Sequence, residues 1–130
     1  GGTAPEIRTI GFLQSGKTYQ GKLVIRNEAS MPPVDITTEI KEEADSHQFF
    51  FLPEGGASGK LSVTYADIDS NGKPVGLETD VVVSGSPANG KLKIVLRHLL
   101  NKNGVGVSNG DISNAGGETD IEVDFDVVIE

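Results

Sequence analysis

The stretch GETDIEVDFDVVIE, Gly117–Glu130, closes the chain and decides its fold. Over most of this stretch apolar and acidic side chains alternate. Because side chains on a strand point to opposite faces in turn, the alternation predicts a β-strand with one apolar face and one anionic face. The apolar parity holds Thr119, Ile121, Val123, Phe125, Val127 and Ile129, and the acidic parity holds Glu118, Asp120, Glu122, Asp124, Asp126 and Glu130, interrupted by Val128.

The segment Lys91–Leu99 has the pattern of a partner strand. Antiparallel pairing with the last strand sets its basic side chains against the acidic row, which favours the pair because opposite charges then face each other. The acidic row has two interpretations, a charge-paired outer face or a surface for a cation or a partner protein. That row is formed by Asp120, Glu122, Asp124 and Asp126; on the partner strand Leu92, Ile94, Leu96 and His98 share one face, and Lys91, Lys93, Val95 and Arg97 share the other.

Further alternating stretches complete a β-rich chain. Together they predict about seven strands in an antiparallel β-sandwich of immunoglobulin-like or Greek-key type. The stretches are a weak one at Glu6–Leu13, Thr18–Arg26, the apolar Gln48–Leu52 that Pro53 ends, Lys60–Ile68 and Leu77–Ser84. The 17 glycines agree with many tight turns.

In one segment the spacing of the apolar residues changes from every second residue to about every fourth. Asp35 can cap a helix, and Ile36, Ile40 and Ala44 recur at helical spacing, with His47 extending the stripe. The pattern predicts an inserted α-helix over Ile36–Ser46 whose narrow apolar side faces the sheets.

Composition limits the class of protein. The length of 130 residues predicts one domain, 1–130, and we expect Gly1–Pro5 to be a flexible N-terminal remnant. A formal net charge of −8 argues against nucleic acid as a partner, because phosphates repel an acidic surface. The absence of cysteine excludes thiolate metal sites, thiol catalysis and disulfides.

An acidic turn resembles a calcium loop. Asp67, Asp69, Asn71 and Glu78 follow the spacing D-x-D-x-N-G-x5-E, in which alternating oxygen ligands encircle a hard cation. Strand patterns flank the turn on both sides, however, and Pro74 stands where an exit helix should begin. An ordinary Asn-Gly β-turn with solvating aspartates remains the alternative to a calcium site.

The chain has two histidines, His47 and His98. The helical pattern and the strand pattern both direct them inward, and Glu43 lies one helical turn before His47. Two imidazoles and a carboxylate can bind a transition metal, and imidazoles ligate haem. The alternative is a pair of buried structural histidines bonded to the backbone or to Glu43 or Asp45.

Catalytic signatures are missing. The G-x-S-x-G match GVSNG, at Gly106–Gly110, lies in a Gly/Asn/Ser-rich connection and lacks the strand–turn–helix context of a nucleophile elbow. No phosphate-binding glycine loop comes before a helix. We therefore expect a non-enzymatic protein.

Four blocks carry a resemblance to a known family. They are EADSHQFFF (Glu43–Phe51), YADIDSNGKPVGL (Tyr65–Leu77), LRHLLNK (Leu96–Lys102) and GVSNGDISNAGGETDIEVDFDVVI (Gly106–Ile129). In these blocks and in their order the chain resembles a family of small secreted lipoproteins from Bacteroidetes. Leu99-Leu100 stands where the family usually has a proline after the LRH block.

The resemblance implies a location more than a mechanism. Family members resemble one another in a lipoprotein signal and an Asp/Gly-rich segment ending in GG-x-AP, which Gly1–Pro5 matches in its last residues. It implies an exported, lipid-anchored protein at the periplasm or the outer-membrane surface, touching the membrane only through its anchor. Such lipoproteins often accompany TonB-dependent outer-membrane receptors, so a receptor partner and a role in nutrient, metal or haem uptake are implied. A structural module that docks a protein or glycan partner, with or without bound calcium, is the alternative.

Overall fold

The structure is a computed structural model that describes residues 12–27 and 34–130. Gly1–Pro5, Glu6–Gly11 and Met31–Pro33 lie outside the described residues, and with them most of the predicted first strand. The elements in chain order are β1 (Thr18–Lys22), β2 (Arg26–Asn27), β3 (Val34–Asp35), α1 (Ile36–Glu42), a 3₁₀ turn (Ala44–Ser46), β4 (His47–Gly55), β5 (Leu61–Tyr65), β6 (Glu78–Val83), β7 (Ala88–His98), two 3₁₀ turns (Val107–Asn109 and Ile112–Asn114) and β8 (Glu118–Ile129).

Two antiparallel three-stranded sheets form the body of the protein. One has the order β1-β6-β5 and the other the order β4-β7-β8, while β2 and β3 make a separate two-residue ladder. The prediction of a mainly-β antiparallel sandwich with one helix is confirmed. The long strands divide three and three, whereas an immunoglobulin constant-type domain divides its strands four and three.

The core lies on the inner face of the β4-β7-β8 sheet. Its central cluster joins this sheet to α1 and to the segment before β6, and the apolar face of β8 packs against it, as the alternation of the last strand predicts. The central cluster consists of Ile40, Phe49, Val75, Leu77, Ile94 and Leu96, with Ile121, Val123 and Phe125 from β8 packed against it. A second cluster around Val83 and Ile129 continues the core toward the other end of the sandwich.

The connection between β7 and β8 covers the outer face of its own sheet. Val107 and Ala115 are fully buried there against Phe50 and Val95. The outer face of this sheet is therefore apolar at one end and charged at the other.

The inserted helix is shorter than the sequence predicts. Asp35 caps it as expected, its carboxylate accepting a hydrogen bond of 2.9 Å from the Thr37 amide. The helix ends at Glu42, because Glu43 leaves helical geometry at φ −111° and ψ 37°, and the chain tightens into the 3₁₀ turn before β4. The prediction of a helix reaching Ser46 is wrong, since this turn is held by contacts from residues far along the chain.

Pro53 does not end its strand, contrary to the sequence prediction. It pairs with Leu92 inside β4, and β4 is an edge strand of its sheet. Pro53 shares its parity with Phe49, whose amide points away from β7 and donates to the Val75 carbonyl at 2.7 Å. The missing amide of Pro53 therefore faces outward and costs the ladder no hydrogen bond.

Among the described residues, no helix has the length and apolar character that spanning a bilayer requires.

Candidate metal centre

The two histidines meet at one end of the second sheet. His47 is the first residue of β4, His98 is the last residue of β7, and the antiparallel register pairs them directly. Their side chains share the inner face with the next inward pair, Phe49 and Leu96. The imidazole rings stack with centroids 4.5 Å apart and an interplanar angle of 9°.

The hydrogen bonding of His47 determines which ring nitrogen is free. Nδ1 lies 2.9 Å from the backbone carbonyl oxygen of Glu43. A carbonyl only accepts, so Nδ1 carries the hydrogen, and in the neutral ring Nε2 keeps its lone pair. His47 is buried, and this arrangement, a ring held by a backbone carbonyl through one nitrogen, is the one that metal-ligating histidines commonly adopt.

Asp120 joins the histidines because β8 has a bulge. Leu96 pairs with Ile121 and Arg97 pairs with Thr119, which leaves Asp120 as an extra residue between them. An extra residue of this kind breaks the alternation of faces and redirects its side chain. The Oδ2 atom of Asp120 lies 3.9 Å from His47 Nε2 and 3.7 Å from His98 Nδ1.

The start of β8 is held close to the end of β7 by glycine. Gly117 has φ +76°, and a Cβ at this position would lie 2.5 Å from the His98 carbonyl oxygen. Only glycine fits both the backbone conformation and the close approach. The preceding segment thus brings the bulge, and Asp120 with it, beside His98.

Two more carboxylates surround the ring pair. Potential ligand atoms of Glu43, His47 and His98 all lie within 4.8 Å of one another, and so do those of His98, Glu118 and Asp120. His98 is common to both groups. Glu43 belongs to the predicted site, whereas Asp120 was assigned to the acidic row and Glu118 to no site at all.

The donor set suits a divalent transition metal. Two imidazoles with nearby carboxylates match zinc, copper(II) or nickel, while magnesium and calcium prefer oxygen ligands alone. Around a tetrahedral zinc, neighbouring ligand atoms lie about 3.3 Å apart. The two nitrogen-to-Asp120 distances must therefore shorten by about half an ångström. The rings must also turn out of their parallel stack, because each lone pair lies in its own ring plane.

Haem fits this arrangement poorly. Ligation of one iron by both histidines needs two lone pairs that point at each other across the porphyrin. Stacked, nearly parallel rings direct their lone pairs side by side. The geometry therefore favours a metal ion over haem as the ligand of the pair.

The centre is accessible from solvent. The side chain of His98 is 28% exposed and that of Asp120 is 39% exposed. An ion can reach the cluster without a conformational change of the sheets.

The acidic turn that resembles a calcium loop is satisfied from within the protein. Asp67 accepts hydrogen bonds from the amides of Gly76, Leu77 and Glu78 at 2.7, 2.9 and 3.2 Å. Asp69 accepts from the amides of Asn71 and Lys73 through one oxygen.

The second oxygen of Asp69 meets a buried cation of the chain itself. Lys102 Nζ donates to Asp69 Oδ2 at 2.9 Å, and the carboxylate is almost fully buried. Burial by itself raises the pKa of Asp69, but the hydrogen bonds from Lys102, Lys73 and Asn71 and the charge of Lys102 outweigh it and hold the pKa below its usual value. An ammonium group thus occupies a position that a bound cation would take, which favours the turn interpretation.

The remaining acidic row lies on the outer face of β8 and is charge-paired. Lys91 lies 4.0 Å from Asp126, and Lys93 lies 3.8 Å from Glu54 and 4.0 Å from Glu122. Asp124 pairs with Lys93 in the strand register. Arg97 does not join them, because its Nη1 donates to the Gly116 carbonyl at 3.0 Å.

A buried polar network joins the two sheets beside the central core. Gln48 donates to the Tyr65 hydroxyl at 3.0 Å and to the Val107 carbonyl at 2.7 Å, and the hydroxyl donates to the Phe49 carbonyl at 2.6 Å. Burial raises the pKa of Tyr65 to about 12, with the Gln48 bond lowering it and the charge of Asp67 raising it. The network is a structural link, since its hydroxyl is fully engaged.

The chain matches no protein-family model, no curated protein sequence and no solved structure.

Proposed function

We propose that this protein is a non-enzymatic binding protein that captures a divalent transition metal ion with His47 and His98. Asp120 supplies the first carboxylate. Glu43 lies near both histidines and Glu118 lies near His98 and Asp120, so each can complete the ligand set or exchange within it. The ion is zinc, copper(II) or nickel, as the mixed nitrogen and oxygen donors require.

One observation carries this proposal. The Asp120 carboxylate faces both imidazoles at 3.7 and 3.9 Å, and the His47 nitrogen that faces it bears a lone pair when the ring is neutral. Two acceptors that face each other without a donor between them repel, unless a proton or a cation lies between them. Three carboxylates around two imidazoles add an attraction for a divalent cation.

The cellular setting is a second part of the proposal. The blocks that contain His47 and His98 are among those that resemble the secreted lipoprotein family. We propose an exported, lipid-anchored accessory protein of a Gram-negative envelope that serves uptake by a TonB-dependent receptor. Fractionation of producing cells tests this part, and recovery of the natural protein in the cytosolic fraction would contradict it.

Calorimetric titration of the metal-free protein tests the binding site. Zinc, copper(II), nickel, calcium and haemin are each titrated into the wild type and into the double variant His47→Gln/His98→Gln. Gln keeps much of the volume of the buried ring, and circular dichroism confirms that the variant is folded. We expect saturable binding of one or more of the transition metals by the wild type and its loss in the double variant.

Three outcomes would contradict the proposal. Equal binding by both proteins would place the metal elsewhere. Absence of transition-metal binding by the wild type would make the stacked pair structural and favour the alternative, a module that docks a protein or glycan partner. Haemin binding without binding of the free ions would favour haem instead.

A further inference from the structure

Lys102 is a buried ammonium with every hydrogen engaged. The residue is 7% exposed, and its Nζ donates to the carbonyls of Ala44 and Pro74 at 2.8 Å each and to the Asp69 carboxylate at 2.9 Å. Three acceptors match the three hydrogens of an ammonium group. One acceptor lies in the turn before β4 and the other two lie in the acidic connection between β5 and β6, so Lys102 joins these two segments to its own.

One of the Lys102 contacts is made to the turn that supports His47. Ala44 follows Glu43, whose carbonyl holds Nδ1 of His47. Lys102 itself comes four residues after His98. A second bond between the same two segments runs from the Leu99 amide to the Ser46 carbonyl at 2.8 Å.

The segments before His47 and after His98 have little regular structure to fix them. The turn Ala44–Ser46 is a single 3₁₀ turn, and Leu99 has the left-handed conformation with φ 57° that side chains other than glycine rarely adopt. Within the turn, the amide and the hydroxyl of Ser46 both donate to the Glu43 carbonyl at 3.0 Å. From outside, the Lys102 ammonium makes the only charged contact among the described contacts of Ala44–Ser46.

We infer that Lys102 is a positioning residue of the metal centre. Its bond to the Ala44 carbonyl fixes the turn that presents the Glu43 carbonyl to His47. That carbonyl keeps the hydrogen on Nδ1 and aims Nε2 at Asp120. The inference rests on the proposed function, and it extends it by naming the group that prepares the site before an ion arrives.

The test removes the ammonium without leaving a buried carboxylate unpaired. Lys102→Met alone leaves the buried Asp69 carboxylate without its cation, and breaking a buried ion pair in this way is strongly destabilising. The double variant Asp69→Asn/Lys102→Met removes both charges and keeps the volumes. Lys91→Met is the matched control, since Lys91 is an exposed lysine on the outer face of β7.

Two quantities are measured on protein that circular dichroism shows to be folded. The first is the zinc dissociation constant, which we expect to rise about 10- to 100-fold in the double variant, the usual loss when a metal ligand loses its supporting contacts. The second is the tautomer of His47 in the metal-free protein, read from the ¹⁵N chemical shifts of its ring. We expect Nδ1–H in the wild type and in the control, and a mixture in the double variant.

An unchanged zinc affinity and an unchanged tautomer in the folded double variant would overturn the role of Lys102 while leaving the metal site intact. A wild type that does not bind transition metals refutes the proposed function itself, and the role of Lys102 with it. If Lys102 is purely structural, its replacement changes the free energy of unfolding but leaves the zinc dissociation constant and the His47 tautomer unchanged.

Discussion

His47 and His98 stack face to face as a cross-strand pair, with their ring centroids 4.5 Å apart. A stack of this kind gives the end of the sheet two nitrogen donors in one place. The pair alone is compatible with a structural role, since one ring is bonded to a backbone carbonyl. The carboxylate of Asp120 beside both rings distinguishes the arrangement from a simple buried pair.

Replacement of Asp120 by Asn should weaken zinc binding and leave folding intact. The amide keeps the shape of the carboxylate but loses the charge that attracts the ion. We expect the dissociation constant to rise at least about 10-fold, since loss of an outer-shell partner alone costs about 10- to 100-fold and Asp120 is proposed as a ligand. Asp124→Asn is the control, because Asp124 lies on the outer face opposite Lys93. Equal effects of the two substitutions would show that overall charge, and not the bulge, controls affinity.

Acid should destabilise the protein through Asp69. Its pKa in the folded protein lies below the ordinary value of 3.8, so on acidification the unfolded chain takes up a proton first. The stabilisation is complete above the ordinary pKa and is lost as the pH falls through the folded value. Urea unfolding of Asp69→Asn at neutral pH should show a loss of about 3–5 kcal/mol, because the Lys102 charge stays buried without its partner.

The free energy of unfolding of Asp69→Asn should fall less on acidification than that of the wild type. As the pH falls below the ordinary value of 3.8 and through the lowered folded value, the wild type loses the Asp69 contribution, and the variant has none to lose. Asp126→Asn serves as the control and should behave like the wild type, since exposed pairs contribute about 0–1 kcal/mol. Parallel acid profiles for wild type and Asp69→Asn would contradict the lowered pKa.

Alkaline conditions should destabilise the protein through Tyr65. Its pKa is raised from 10.0 to about 12, so the unfolded chain loses the phenolic proton first. The stabilisation is complete below pH 10 and disappears as the pH rises through the folded value. Tyr65→Phe should cost about 1–3 kcal/mol at neutral pH, because the buried Phe49 carbonyl and Gln48 each lose a hydrogen bond. Tyr65→Phe should also weaken the dependence of the free energy of unfolding on pH in the alkaline range.

Tyr19→Phe provides the comparison for Tyr65→Phe. The Tyr19 hydroxyl accepts one hydrogen bond, from the Gln14 amide near the surface. Its removal should cost less than the removal of the buried hydroxyl. A larger loss in the free energy of unfolding for Tyr19→Phe than for Tyr65→Phe would show that the buried network contributes little to stability.

Calcium should not change the melting temperature. The carboxylates of Asp67 and Asp69 are already engaged by amides and by Lys102. Scanning calorimetry with added calcium and with a calcium-selective chelator measures this. A rise in melting temperature with calcium, lost in Asp67→Asn, would support the calcium prediction made from the spacing.

The regular parts of the fold could be predicted from alternation. The apolar face of β8, the opposition of Lys91 and Lys93 to the acidic row, and the Asp35 cap all depend on neighbours in sequence or on strand parity. These features are local, and a single register places many side chains at once.

The site could be predicted only in part, because its geometry depends on one irregularity. Parity places Asp120 on the outer face, and a bulge moves it to the histidines. No residue pattern in β8 marks the bulge; the nearest signal is Gly116-Gly117 before the strand. The distance between the rings depends on the pairing of β4 with β7, which joins residues about 50 positions apart.

The role of Lys102 could not be predicted from the sequence for the same reason. It stands in a stretch rich in glycine and asparagine, where a lysine is ordinarily exposed. Its three acceptors come from residues 28 to 58 positions away.

Zinc-edge X-ray absorption on protein loaded with one equivalent of zinc tests the central claim most directly, because it identifies the ligands themselves. We predict a spectrum fitted by two imidazole nitrogens together with carboxylate oxygen, and loss of the imidazole signal in His47→Gln/His98→Gln. A zinc shell without imidazole, or one identical in the double variant, would contradict the assignment of His47 and His98 as the metal ligands.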